Sequence, residues 1–261
     1  MTKYFSCLLA LSLVGTVGFR GQASDRVTKP AYTYVIVHGA TGGGWDWRTV
    51  GGLLEKDGHT VYRPTLTGLG ERMHLANGDV NLTTHVNDIV NVILFEDLHD
   101  VVLVGHSYGG MVITGVMDRI PERLAHVIFL DAAAPADGQS ALDVWGPLEP
   151  GHKVVNGLVN FSWLDGSKPL PRDVPQSLKT FTEPVSYRNP AAFKLPVTYV
   201  LFHEGSLAER VAADPSWARV KARGWTTRDL ASNHVAERSH PRELAALLEA
   251  AVADRNASSA K

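Results

Sequence analysis

The sequence predicts an α/β fold in which one mostly parallel sheet of about six strands carries helices on both faces. Short β-branched and aliphatic runs alternate along the chain with longer segments of helical periodicity. One apolar run, Val101 to Val104, leads directly into a glycine-flanked serine and then into a helix. With 261 residues, the chain is also long enough to bury the core of one large domain.

Five of the six predicted strands are short, largely apolar runs bounded by a turn residue or a motif, and the last is Trp225-Thr-Thr-Arg-Asp-Leu230. The six strands are expected at residues 32–37, 60–62, 101–104, 126–131, 197–202 and 225–230. Between them, apolar residues recur at helical spacing, and the start of one helix has Asn81 or Thr83 as its cap. The helices are expected from about residue 47 to 56, over residues 82–93, through residues 111–117 up to Pro121, and around Leu244, Leu247 and Leu248.

Residues 133–195 interrupt this alternation. The segment is rich in proline and glycine, and it contains several large aromatic residues. We predict a cap over the C-terminal edge of the sheet, inserted into a single domain that spans residues 24–261. The alternative is a surface excursion with a small core of its own.

The N-terminus predicts a signal peptide over residues 1–23. Lys3 precedes an apolar run from Tyr4 to Phe19, and small residues lie near Ala23. The run is too short and too interrupted to span a membrane comfortably. An uncleaved membrane anchor is the alternative. We therefore expect a secreted or periplasmic protein without stable membrane association. Cleavage would also remove Cys7, the only cysteine, and with it disulfides and thiol catalysis.

Composition excludes several classes of function. Charged residues make up 20% of the chain, the formal net charge is −2, and like charges do not form blocks. A nucleic-acid partner is therefore not expected. Histidines, cysteines and carboxylates show no convincing metal-ligand spacing, so we expect no metal.

The motif Gly105-His-Ser-Tyr-Gly109 predicts a nucleophile. A serine in a sharp strand-to-helix turn has its hydroxyl held clear of the sheet, and glycines two positions away let strand and helix approach closely. The following helix directs free N–H groups toward negative charge that develops beside Ser107. The alternative is a glycine-rich loop with a solvated serine, but the flanking strand and helix favour the nucleophile.

A serine hydroxyl needs a base and an orienting acid. Among eleven histidines, we select His234, because its loop follows the last strand and returns to the sheet edge where Ser107 projects. The ring of His106, on the turn itself, is expected to point elsewhere. Three others lie in predicted strands or helices and are expected to be structural or solvated: His59, His85 and His126.

Two carboxylates are candidates for the acid. Asp131 ends the strand that follows the serine helix. A carboxylate at the tip of a buried strand rarely serves packing, and the alternative role for it is to cap the next turn. Glu204 follows the penultimate strand. We favour Asp131 and keep Glu204 as the alternative.

Two backbone N–H groups are expected to form an oxyanion hole, because peptide donors are rigid and already aligned. These belong to Tyr108, directly after the nucleophile, and to Ala40, in the glycine-rich loop after the first strand. The same glycines could instead bind a dinucleotide, but the next strand then needs a terminal carboxylate, and it ends in Tyr62-Arg63-Pro64.

From His38 to His234 the chain resembles the α/β-hydrolase superfamily, and within it the small serine esterases that include plant methylesterases, hydroxynitrile lyases and bacterial esterases. The resemblance lies in His38-Gly-Ala40, Gly44-Trp45, Gly105–Gly110 and Asn233-His234. It implies an α/β-hydrolase fold, a catalytic triad, and cofactor-free ester hydrolysis through an acyl-enzyme.

Two departures affect this interpretation. The lyases carry a threonine at Gly39 and a lysine at Val235, which favours an esterase here. Plant members place an aspartate around Gly205 or Ser206, so the acid stays open. We predict a serine carboxylesterase that hydrolyses a small, largely apolar ester or lactone. The alternatives are a hydroxynitrile-lyase-like C–C lyase and a catalytically silent, ligand-binding protein of the same fold.

Overall fold

The predicted parallel sheet is confirmed by a computed structural model that describes residues 31–259, with side chains to residue 253. The predicted signal peptide, residues 1–23, lies outside the described residues. The six strands of the main sheet are β1 (Thr33–Val37), β2 (Thr60–Tyr62), β3 (Val101–His106), β4 (Leu124–Leu130), β8 (Val197–His203) and β9 (Thr226–Ala231). They pair in parallel in the order β2-β1-β3-β4-β8-β9.

Nine α-helices and four 3-10 turns are found within residues 31–259. The helices are α1 (Arg48–Lys56), α2 (Leu82–Phe95), α3 (Gly109–Arg119), α4 (Ala141–Trp145), α5 (Lys179–Thr182), α6 (Leu207–Ala213), α7 (Trp217–Ala222), α8 (Ala236–Ser239) and α9 (Pro241–Ser259). The 3-10 turns are Gly44–Trp47, Gly70–Leu75, Pro121–Arg123 and Ala192–Lys194. Of the two predicted caps, Asn81 caps α2 by accepting the Thr84 N–H.

The core lies on both faces of the sheet. In β1, Tyr34 and Ile36 pack with α1 and α9, whereas Val35 and Val37 pack with α2 and α3. Strands covered by helices on both faces need apolar residues at successive positions, which is why the sequence shows continuous runs rather than alternation.

The segment between β4 and β8 contains a second, antiparallel sheet together with α4 and α5. Its strands are β5 (Lys153–Val155), β6 (Leu158–Asn160) and β7 (Gln176–Ser177). Three of its aromatic residues, Phe161, Phe181 and Tyr187, are buried in the same core cluster as α2 and α3. The segment therefore shares the main core instead of building one of its own.

Close packing of α3 on the chain after β4 predicts a stability difference between two helical glycines. A Cβ on Gly110 would lie 2.1 Å from the Ala133 carbonyl oxygen, whereas one on exposed Gly52, in α1, meets nothing within 4 Å. We expect G110A to lower the free energy of unfolding by about 2 to 3 kcal/mol. G52A, the matched control, is expected to raise it by about 0.5 to 1 kcal/mol. Urea unfolding measures both, and equal effects would contradict the packing argument.

Candidate active site

Ser107 lies in a strained turn between β3 and α3. Its φ of 53° is in the left-handed region, which residues other than glycine seldom adopt. The Ser107 N–H donates to the Leu130 carbonyl at 3.1 Å, and the Ser107 carbonyl accepts from the amides of Gly110 and Ala133 at 3.1 Å each. These hydrogen bonds to the end of β4 and to α3 hold the turn in place against its strain.

His234 reaches this serine from the loop between β9 and α8. Its Nε2 lies 2.9 Å from Ser107 Oγ, and its Nδ1 lies 2.6 Å from Asp131 Oδ2. An ionised carboxylate can only accept, so Nδ1 carries the proton and Nε2 is free to accept from the serine hydroxyl. The structure thus brings together the three side chains that the sequence selected.

Asp131 follows β4 and is held from several sides. Its side chain is only 5% exposed, and its Oδ1 accepts from the Phe202 N–H at 3.2 Å and from an Arg210 Nη2 at 2.6 Å. Burial acts to raise the pKa of Asp131, but the His234 hydrogen bond and the Arg210 charge outweigh it and lower the pKa overall. The carboxylate is therefore available as an anion to the imidazole.

Glu204, the alternative acid, does not hydrogen-bond to His234. It is exposed in the loop after β8 and borders a cleft of about 410 Å³ that also touches Asp131 and His234. Both ring nitrogens of His234 are already occupied by Ser107 and Asp131. The geometry thus favours Asp131 as the partner of the imidazole.

The amides of Ala40 and Tyr108 lie on the two segments that meet beside Ser107. A Cβ built on Gly39 would be 3.2 Å from Ser107 Cβ, so the loop after β1 lies against the serine. Within residues 31–259, neither amide donates a hydrogen bond. Two unused N–H groups next to a nucleophile are the donors that an oxyanion hole requires.

His38 orients one of these amides. Its Nδ1–H donates to the Gly39 carbonyl at 2.8 Å, and its Nε2 accepts from the Leu66 N–H at 3.1 Å. In a planar trans peptide the N–H points opposite to the carbonyl, so the Ala40 N–H is directed away from His38. Burial lowers the pKa of His38 to about 4, which keeps this arrangement neutral.

The inserted segment holds the next residue of the same loop. The Thr41 N–H donates to Gln176 Oε1 at 2.9 Å, and the Thr41 carbonyl accepts from the Val174 N–H at 2.9 Å. Gln176 is buried, and its Nε2 donates to Thr180 Oγ1. Thr41 itself has a φ of 65°, and these hydrogen bonds from the inserted segment help to hold it in that conformation.

Two histidines have contacts that sequence reasoning missed. The His106 ring does not point away from the site: its Nε2–H donates to the His234 carbonyl at 2.7 Å, and the two rings are 4.8 Å apart. His85 binds the Tyr108 hydroxyl through Nδ1 at 2.9 Å. Burial lowers the pKa of His106 to about 3 and that of His85 to about 4. These contacts join residues far apart in the chain, and no local pattern announces them.

Another cleft, of about 840 Å³, begins where the glycine-rich loop ends. Gly44 and Trp45 form one side of it, and three other segments form the rest with apolar, cationic and polar side chains, which include the carboxylate of Glu71.

Across residues 31–259, no cluster of three or more histidine, cysteine or carboxylate side chains could hold a metal ion. No helix in the described part of the chain is both long and apolar enough to span a membrane.

Comparisons with known proteins agree with this architecture. A model described as the alpha/beta hydrolase family matches residues 34–249. An extracellular alpha/beta-hydrolase from a Paenibacillus species superposes with a TM-score of 0.65 at 23% identity, covering 84% of this chain and 98% of that one. At that identity the likeness shows a shared fold.

Two curated relatives match shorter stretches. The carbendazim hydrolyzing esterase of Nocardioides sp. (strain SG-4G) is 50% identical over 109 residues, which are 42% of this chain and 45% of the relative. The putative chloroplastic methylesterase 11 of Arabidopsis thaliana is 34% identical over 113 residues, or 43% of this chain and 29% of the relative. The matched stretches thus span less than half of these relatives.

The buried histidines predict how stability changes with pH. The pKa values of His38, His85 and His106 are lowered to about 4, 4 and 3, so these groups bind protons in the unfolded chain below pH 6.5 but not in the fold. Glu237 opposes them, because burial raises its pKa to about 7. The unfolded state then binds about two more protons near pH 5.5.

We therefore expect the free energy of unfolding to fall by roughly 2 to 3 kcal/mol per pH unit as pH drops from 6.5 toward 4.5. Urea unfolding at several pH values measures this slope. The control is His38→Gln, which removes one of the three buried histidines. It should reduce the slope by the contribution of about one proton, whatever the overall stability of the variant. A flat profile in this window would contradict the assignment of three neutral buried histidines.

Proposed function

The chain belongs to the alpha/beta hydrolase family, and from this premise we propose that it is a serine carboxylesterase acting on a small, largely apolar ester or lactone. One observation carries the proposal: Ser107, His234 and Asp131 form a continuous hydrogen-bonded chain with separations of 2.9 and 2.6 Å. Curated relatives named as esterase and methylesterase support it.

In the acylation step, Ser107 Oγ attacks the ester carbonyl carbon while His234 Nε2 accepts the hydroxyl proton. The carbonyl oxygen becomes an oxyanion, to which the Ala40 and Tyr108 amides donate. Collapse of the tetrahedral intermediate breaks the bond to the alcohol oxygen, which takes the proton from Nε2. The alcohol leaves, and the acyl group stays on Ser107.

In the deacylation step, a water molecule attacks the acyl carbon and gives a proton to His234 Nε2. The bond to Ser107 Oγ then breaks, the proton returns to Oγ, and the acid is released. Asp131 keeps the imidazole in the tautomer with Nδ1 protonated throughout and stabilises the imidazolium that forms in each step. All atoms and protons balance without a cofactor.

The proposed substrate is small because the inserted segment packs on the site. Phe181 lies 5.3 Å from the Tyr108 ring, and Phe161 packs 5.4 Å from Phe181, so apolar side chains of this segment pack against the residue that follows the nucleophile. Methyl esters of small acids suit such a site, and the relatives named methylesterases support that choice. Val235 follows His234, where a lyase would carry a lysine.

A secreted or periplasmic location is proposed from the sequence alone. Its support is the cationic start at Lys3 and the apolar run from Tyr4 to Phe19. Amino-terminal sequencing of the protein recovered from the producing cell tests this, and a chain that begins upstream of Ala23 would contradict the proposed cleavage.

A fluorophosphonate should form a stable adduct on Ser107, because the probe needs an activated serine and an oxyanion hole. Mass spectrometry of the digested protein is expected to place the added mass on the peptide that contains Ser107. S107A should lose the adduct and lower the turnover of p-nitrophenyl acetate by at least about 10³-fold. Labelling of another serine, with S107A still active, would overturn the proposal.

Replacing the two candidate acids should have unequal effects. We expect D131N to lower kcat by roughly 10³- to 10⁴-fold, because an amide cannot hold the imidazole in the required tautomer. E204Q, the matched control, should keep nearly all of the activity, because Glu204 is exposed and makes no hydrogen bond to His234. Initial rates on p-nitrophenyl acetate compare them, and the opposite ranking would transfer the role to Glu204.

A further inference from the structure

We propose that Arg210 is a positioning residue of this active site, which holds Asp131 in place and partly neutralises the charge that Asp131 presents to His234. The proposal rests on the proposed function, since it concerns how readily His234 takes the serine proton. It assigns a role to a fourth side chain beyond the Ser107–His234–Asp131 chain.

Arg210 lies on α6 and contacts two carboxylates. Its Nη2 donates to Asp131 Oδ1 at 2.6 Å, and its Nη1 donates to Asp214 Oδ2 at 3.2 Å. The side chains of Asp131 and Asp214 are only 5% and 4% exposed, whereas Arg210 is 28% exposed. The guanidinium therefore joins two buried anions at the border between the interior and solvent.

Asp214 anchors the guanidinium because it is itself held by the fold. Its carboxylate accepts from the Tyr199 hydroxyl at 3.1 and 3.2 Å and from the Ser216 N–H at 2.9 Å. Tyr199 is fully buried in β8, and its hydroxyl also lies 2.9 Å from the Ala132 carbonyl, next to Asp131. Arg210 is thus placed by a network that ends on β8 and on Ala132, the residue after the acid.

The two oxygens of Asp131 then have separate partners. Oδ2 accepts from His234, while Oδ1 accepts from Arg210 and from the Phe202 N–H. Charge-assisted hydrogen bonds are about twice as strong as neutral ones, so the Arg210 contact resists rotation of the carboxylate. This keeps Oδ2 directed at the imidazole.

The second effect is electrostatic. A lone carboxylate beside an imidazole favours the imidazolium, and a cation on the far side of the carboxylate offsets part of that attraction. Arg210 therefore offsets part of the attraction that Asp131 exerts on a positive charge at the imidazole. The segment after β8, which contains the alternative acid Glu204, thus contacts the site through the guanidinium of Arg210.

Other titratable groups surround the pair but do not replace Arg210. Two further cations lie nearby: Arg238 is paired with Asp46 and Asp173, and Arg219 donates to the Ala134 carbonyl and interacts electrostatically with Asp214. Burial keeps the neighbouring His106 neutral by lowering its pKa to about 3. The remaining groups facing the pair or bordering its cleft are Tyr199, His203, Glu204, Glu209, Asp214, Asp229 and Glu237.

The test compares the pH dependence of kcat/KM for p-nitrophenyl acetate in wild type, R210M, R210Q and R210K. Removing the charge should shift the acidic half-maximum upward by about half to one pH unit in R210M and R210Q. It should also lower kcat by roughly 3- to 30-fold. R210K keeps the charge and is expected to return the half-maximum to within about 0.2 pH units of wild type.

The matched control is R219M. Arg219 is also partly buried, but its guanidinium donates to the Ala134 carbonyl at 2.6 Å instead of a carboxylate, so its loss should leave the acidic half-maximum unchanged. Thermal unfolding of every variant separates stability from pH dependence. R210Q retains a hydrogen-bond donor, so it can carry the test if R210M does not fold.

An unshifted acidic half-maximum in folded R210M or R210Q would overturn the proposal and leave Arg210 a purely structural role, whatever the change in melting temperature. An equal shift in R219M would overturn it too. Failure of the proposed function has a different signature, because wild type would then not turn over the ester, or S107A would be as active as wild type.

Discussion

The hydrogen bond between Asp131 and His234 connects two loops that are 103 residues apart in the chain, and the arrangement of the site depends on it. It can form because β3, β4 and β9 run parallel, so that their C-terminal ends meet at one edge of the sheet. The 2.6 Å contact fixes the imidazole tautomer, and the tautomer in turn decides which nitrogen faces Ser107. The contact between the two loops therefore places the proton on Nδ1 of His234, and this leaves Nε2 free to act on Ser107.

Three buried, neutral histidines hold the segments that surround the active site. His38 orients the Gly39–Ala40 peptide, His85 binds the Tyr108 hydroxyl, and His106 binds the His234 carbonyl. Each uses one ring nitrogen on a group next to the reaction centre and is kept uncharged by burial. A neutral imidazole offers a donor and an acceptor at fixed positions, which suits it to brace loops without adding charge near the nucleophile.

The sequence predicted the larger features because they are local. All six strands were predicted within two residues of their observed bounds, five of them from largely apolar runs, and the glycines around Ser107 predicted the strand-to-helix turn. The loop position of His234 predicted its meeting with Ser107. The hydrogen bond by which the inserted segment holds the glycine-rich loop was not predicted. It joins Thr41 to Gln176 across 135 residues, and so distant a pair leaves no periodic signal in the sequence.

By itself, then, the sequence determined the parallel sheet, the serine turn and the residue types available for catalysis, since these follow from backbone preferences and short-range spacing. Only the tertiary structure decided between Asp131 and Glu204 as the partner of His234, and only it connected Arg210 to the acid. Both carboxylates end a strand at the same edge of the sheet, so spacing cannot separate them. Their hydrogen bonds separate them, because Asp131 Oδ2 lies 2.6 Å from His234 Nδ1 whereas Glu204 is exposed and makes no hydrogen bond to that ring.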